Sequence, residues 1–154
     1  MDLRERINAD LKEAMKAREA ERLSTLRLVN AAFKDREIAA RGASGEGTGL
    51  GEADLMAILG KMIKQRQDSA RAYEEGGRLE LAEKELNEIK VIEAYLPRQM
   101  SADEVTAAIN AAIAAIGATG IRDMGRVMAE LKTRHTGQMD FGAVGPMVKA
   151  RLAG

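Results

Sequence analysis

Cysteine is absent from the 154 residues. That excludes disulfides, thiolate nucleophiles and Cys-based zinc sites, and it fits a reducing compartment. Tryptophan is also missing, and Phe and Tyr number two each, so the core must be built from Leu, Ile, Val, Met and Ala. Two prolines leave little to interrupt a helix. No window approaches the roughly 18 apolar residues of a membrane span, and no membrane partner is expected. The N-terminal MDLRERINADLKEAMK lacks the apolar stretch of a signal peptide. Together these absences predict a cytoplasmic protein. Net charge is lacking too: 24 Lys and Arg balance 24 Asp and Glu. The molecule as a whole therefore has no strong attraction for nucleic acid.

What is present is helical periodicity. Leu3, Ile7, Leu11 and Met15, with Ala14, mark one face of a helix over about 2–18, and Asp2 is placed to cap it. Leu23, Leu26, Val29, Phe33 and Ala40 stripe a second helix over 20–41, with Asn30 at the stripe's edge. Residues 42–51, GASGEGTGLG, hold five glycines and read as a flexible linker; no lysine and no strand support a phosphate-cradling loop. A third helix spans 52–75, buried through Leu55, Leu59, Met62 and Ala70. Its opposite face carries Lys61, Lys64, Asp68 and Arg71, a charged surface open to a protein partner.

Gly76-Gly77 supplies a left-handed helix stop. A fourth helix, 78–95, faces Leu79, Ala82, Leu86, Ile89 and Ile92 inward until Pro97. Before Pro97 the chain is densely charged, and after Ser101 it is rich in alanine. That change predicts two modules, 1–98 and 99–154. Ser101 and Glu104 form a capping box, and Gly117 closes the helix they open. Helices over 122–134 and 141–152 follow, the last capped by Asp140. No alternating period-two run appears, so no sheet is expected. The reading is an all-α protein, with an N-terminal four-helix bundle-like domain and a C-terminal three-helix module.

Chemistry is sparse. His135, the single histidine, stands at a helix C-terminus with no neighbouring carboxylate or thiolate, so no metal site is predicted. Ser24 and Ser69 lack the base and oxyanion hole a nucleophile needs. No catalytic residue and no cofactor are predicted. Residues 118–154 do carry six cations (Arg122, Arg126, Lys132, Arg134, Lys149 and Arg151) against Asp123, Glu130 and Asp140. Gly125 lies among them. A glycine inside an amphipathic helix costs about 1 kcal/mol relative to Ala. Either close helix packing or close approach of an external backbone should offset that cost.

Several strings taken in order also resemble a known family. These are Glu21-Arg22-Leu23-Ser24 with Arg27; Lys64-Gln65-Arg66 with Asp68-Ser69; Gly77-Arg78 with Leu81-Ala82-Glu83-Lys84-Glu85; Tyr95-Leu96-Pro97 with Gln99; and Asp123-Met124-Gly125-Arg126-Val127-Met128. Over nearly the whole length the chain resembles the GatB/YqeY family, in particular its free-standing YqeY-like members.

The resemblance implies two helical domains. It also implies a C-terminal part similar to the tail of the B subunit of tRNA-dependent amidotransferase, the helical module that approaches tRNA. No counterpart of that subunit's ATP- and metal-dependent cradle is visible. The expectation is a non-catalytic accessory protein associated with tRNA or an aminoacyl-tRNA-handling complex. It would dock on structured RNA through Arg122, Gly125, Arg126, Lys132, Arg134 and Lys149. The alternatives are participation in glutamine-dependent tRNA amidation, a carbon–nitrogen ligase activity, and a protein-interaction scaffold using Lys61, Lys64, Asp68 and Arg71.

Overall fold

A computed structural model describes residues 2–44 and 50–153. Every regular element among them is helical. The elements are α1 (Leu3–Ala17), α2 (Ala20–Ser44), α3 (Glu52–Glu75), α4 (Leu79–Glu93), α5 (Ala102–Ile116), a 3-10 turn (Ile121–Asp123), α6 (Met124–Arg134) and α7 (Phe141–Ala153). The chain divides into two compact units, Met1–Leu96 and Pro97–Gly154.

The helix ends follow from local chemistry. Asp2 accepts the Glu5 N–H at 2.8 Å and caps α1. Gly51 precedes α3, and its N–H donates to Asp54 at 3.1 Å. At the end of α3 the left-handed residue is Gly77, φ 73°, a conformation that costs glycine no Cβ clash. The Ser101–Glu104 capping box opens α5 reciprocally, each side chain holding the other residue's N–H at 3.2 Å. Gly117, φ 71°, ends α5, and Asp140 accepts the Gly142 N–H at 3.0 Å ahead of α7.

Three boundaries differ from the sequence reading. Helix α2 continues to Ser44, taking in the first residues of the glycine-rich stretch; residues 45–49 of that stretch lie outside the described ones. Helix α4 ends at Glu93, and Tyr95 and Leu96 form turn hydrogen bonds ahead of Pro97. Pro97 disfavours helical backbone at its predecessor, and the helix stops short of it. The sixth helix begins as a 3-10 turn. Pro146 sits inside α7.

In the first unit the α1–α2 and α3–α4 hairpins bury Leu3, Ile7, Leu26, Val29, Phe33, Leu59, Met62, Ile89 and Ile92 in one core. Phe33 and Tyr95 are its only aromatics. Three residues expected inside are exposed: Met15 (50%), Leu79 (66%) and Leu86 (42%). Met15 is displaced by its neighbour Ala14, which is fully buried and turns Met15 about 100° away. Leu79 is the first residue of α4, and the first buried residue of that helix is Ala82. Asn30, at the edge of its stripe, donates to Asn8 at 3.1 Å.

The second unit buries Ile109, Ala112, Val127, Leu131, Val144 and Val148. Ala108 and Ala112 of α5 are buried in the same core. Residues 98–100 lie against the 137–138 loop. There Met100 N–H donates to the Gln138 carbonyl at 3.0 Å, and the Gln99 amide donates to that of Gly137 at 2.6 Å.

Candidate nucleic-acid interface

The start of α6 is built around Asp123. Its carboxylate accepts the N–H groups of Thr119 (2.9 Å) and Gly120 (3.3 Å). Those bonds, followed by the charges of Arg126 and Arg122, hold it below the ordinary aspartate range. Because the carboxylate turns back to the preceding loop, no side chain caps α6. The 3-10 turn leads directly into α6, and the Met124 N–H donates to the Ile121 carbonyl.

Arg122 and Gly125 are exposed at this end. Arg126 is 67% exposed and sits 3.6 Å from Asp123. The packing explanation for Gly125 fails: a Cβ built there meets nothing within 4 Å. Its backbone is open to whatever approaches from outside.

The structure gathers only part of the predicted set. Arg122, Gly125 and Arg126 cluster at the α6 N-terminus, although Arg122 lies on the 3-10 turn rather than on a continuous α-helical face. Lys132 and Arg134 do not converge: two positions apart on a helix means about 200° of rotation. Arg134 is also held by Glu130. Lys149 is exposed on α7 and makes no ion pair among the described residues. On α3, Lys61, Lys64, Asp68 and Arg71 are all exposed. His135 follows α6, its N–H bonded to the Leu131 carbonyl and its ring 3.2 Å from the Gln138 side chain.

Sequence reasoning missed a polar cluster in the first unit. The Tyr95 hydroxyl donates to Asp10 at 2.6 Å, and Arg22 stands 3.8 Å from the same carboxylate and 3.2 Å from Glu19. Burial first, then the Asp10 hydrogen bond and charge, push the Tyr95 phenol up to about 12, with Arg22 opposing. Arg22 and Tyr95 both belong to the strings that carry the family resemblance, but no sequence spacing links them to Asp10. Arg22 also borders a groove of about 810 Å³ between α2 and α4, lined by Glu19, Ser24, Lys84, Asn87 and Glu88 among others. No histidine lines that groove, so Ser24 has no imidazole base there. Among the described residues no group of three His, Cys, Asp or Glu is placed to hold a metal. Nor is any single helix among them long and apolar enough to cross a membrane.

Curated relatives cover much of the same chain. The protein is similar to "Altered inheritance of mitochondria protein 41, mitochondrial" of Clavispora lusitaniae, 37% identical over 90 residues, 58% of this chain and 49% of that protein. The Kluyveromyces lactis protein of that name is 37% identical over 89 residues, 58% of this chain and 45% of its own length. The Eremothecium gossypii protein is 29% identical over 150 residues, 96% of this chain and 79% of its length. The chain thus spans about half the length of the first two.

These names correct the cytoplasmic expectation, because the relatives are described as mitochondrial. Cysteine content and the hydropathy of residues 1–16 do not report on an address. The family model for YqeY-like proteins matches residues 4–152. With its all-α fold and that match over nearly its full length, the chain belongs to the YqeY-like family.

Proposed function

We propose that this YqeY-like protein is a non-catalytic accessory factor that associates with structured RNA, tRNA foremost, through the N-terminal end of α6. The observation that carries the reading is Gly125: it is exposed, has open space above it, and is flanked by Arg122 and Arg126. Two exposed guanidinium groups beside an open backbone at the N-terminal, positive end of a helix suit a phosphate, because the charges and the helix dipole act together. Asp123 offsets one of those charges, which keeps the affinity moderate and the binding dependent on salt. Lys132 and Lys149 are outer contacts in this reading. Arg134, tied to Glu130, contributes little.

Phosphate contacts of this kind position a protein without reading sequence, so related tRNAs bind alike. The test is titration of the protein into labelled tRNA near physiological salt. Binding at micromolar protein that weakens in an Arg122→Ala, Arg126→Ala variant supports the reading; no binding at those concentrations overturns it. Incubation with ATP, glutamine and mischarged tRNA should give no amidated product. Recovery of a stable protein partner after nuclease treatment would instead favour a scaffold using the exposed α3 face of Lys61, Lys64, Asp68 and Arg71.

A further inference from the structure

The solvent side of α2 carries a row that the α6 surface does not account for. Ser24, Arg27, Ala31, Lys34, Ile38 and Arg41 are all exposed and are spaced alternately three and four residues. That spacing averages close to one helical turn, so the row runs nearly parallel to the axis. Its three cations recur every seventh residue, about 10.5 Å apart, and together span about 21 Å. No acidic residue falls on the row, and none of the three cations has an ion pair or hydrogen-bond partner among the described residues.

Beside the row lies a cleft of about 340 Å³ between α1 and α2, where Arg4, Asn8 and Asn30 join Lys34 and Arg41. Asn30 donates to the Asn8 side-chain oxygen, which leaves the Asn8 amide hydrogens available as further donors. The one acid in the cleft, Glu37, is taken up by Arg4.

We propose that this row and cleft form a second docking surface, in the N-terminal unit, for the phosphodiester backbone of RNA. The inference rests on the reading that the chain associates with RNA, but not on the α6 site. Three unpaired cations spread over about 21 Å suit a chain of charges better than a single phosphate. A partner helix is disfavoured, since cations at successive seam positions cost a helix–helix contact its stability. A lipid surface is disfavoured as well, because an interfacial helix needs a broad apolar face. This row offers one large apolar residue, Ile38.

The test measures full-length protein binding folded tRNA between 50 and 200 mM salt. It compares the wild type, an Arg27→Gln, Lys34→Gln, Arg41→Gln variant, and the Arg122→Ala, Arg126→Ala variant. All the substituted side chains are exposed, and circular dichroism verifies that each variant stays helical. Removing three phosphate contacts should shrink the loss of affinity across that salt range by roughly 20- to 40-fold. The single changes Arg27→Gln and Lys34→Gln should each remove about a third of the effect on a logarithmic scale.

An unchanged salt dependence in the triple variant, with weakened binding in the α6 variant, overturns this proposal and leaves the α6 reading standing. The reverse pattern upholds the α2 surface and removes the α6 one. No binding by the wild type removes both. Polyglutamate competing as well as RNA at equal charge would assign the row to an acidic polypeptide and overturn the RNA assignment.

Discussion

The Tyr95 hydroxyl donates a 2.6 Å hydrogen bond to Asp10, joining the turn after α4 to the middle of α1. Tyr95 is 5% exposed, and Arg6 lies over its ring at 5.4 Å. The two residues are 85 positions apart in the chain, so the bond ties the last segment of the first unit to its first helix. Tyr95→Phe keeps the ring and removes the donor. It should destabilise the protein by about 1.5–3 kcal/mol, the worth of a hydrogen bond to a charged group, read by urea denaturation.

Burial of the Tyr95 phenol, and then the same bond, set an alkaline limit. The folded-state value is raised from 10.0 to about 12, so the neutral phenol is what the fold favours. Its stabilisation is complete below pH 10 and is lost as pH rises towards 12. Wild-type stability should fall through that window, and Tyr95→Phe should lack this component. Equal slopes for the two proteins in a pH series of denaturation curves would contradict the assignment.

Glu104 sets the corresponding acid behaviour in the second unit. The Arg98 guanidinium, bonded through both arms at 2.7 and 3.0 Å, and then the Ser101 N–H lower its value from 4.5 to about 2. A depressed carboxylate stabilises above its unfolded value, and the stabilisation disappears as pH drops from 4.5 to about 2. Glu104→Gln should flatten the loss of helix in that window, followed by circular dichroism.

Gly125→Ala separates stability from binding. Open space and the absence of a positive φ mean that alanine fits there, and it should stabilise the protein by about 0.5–1 kcal/mol. RNA affinity should weaken several-fold at the same time. Gly60, in the interior of α3 and equally open, is the control: Gly60→Ala should give a similar stability gain with no change in RNA affinity. Thermal melts and the tRNA titration read both effects.

Arg66 and Glu88 lock α3 to α4 through a 2.9 Å bond between side chains that are 14% and 17% exposed. Arg66→Ala leaves Glu88 half-desolvated without its partner and should cost about 1–3 kcal/mol. Replacing both, as Arg66→Met with Glu88→Leu, should recover most of that loss in denaturant titrations.

Much of this architecture was legible in the chain itself. The Ser101–Glu104 box, Gly77, Gly117 and Asp140 act within one turn of backbone, and each ends or begins a helix where its chemistry requires. The buried stripes of α1 and α3 followed from spacing alone, because a helix repeats every 3.6 residues whatever surrounds it. Met15 and Leu86 escaped that logic. Their spacing fits a buried face, but how wide that face is depends on which neighbouring helices cover it.

Sequence alone therefore determined where the helices lie and which family they make. Tertiary structure decided which charges are free to act. Arg66 is taken up by Glu88 of the neighbouring helix, 22 positions along the chain. Arg27, Lys34 and Arg41, widely spaced in the chain, emerge as an unpaired row. The physical reason is range: caps and periodicity act over one or two turns, whereas ion pairing, open space above a glycine and exposure depend on which distant segments the fold brings near.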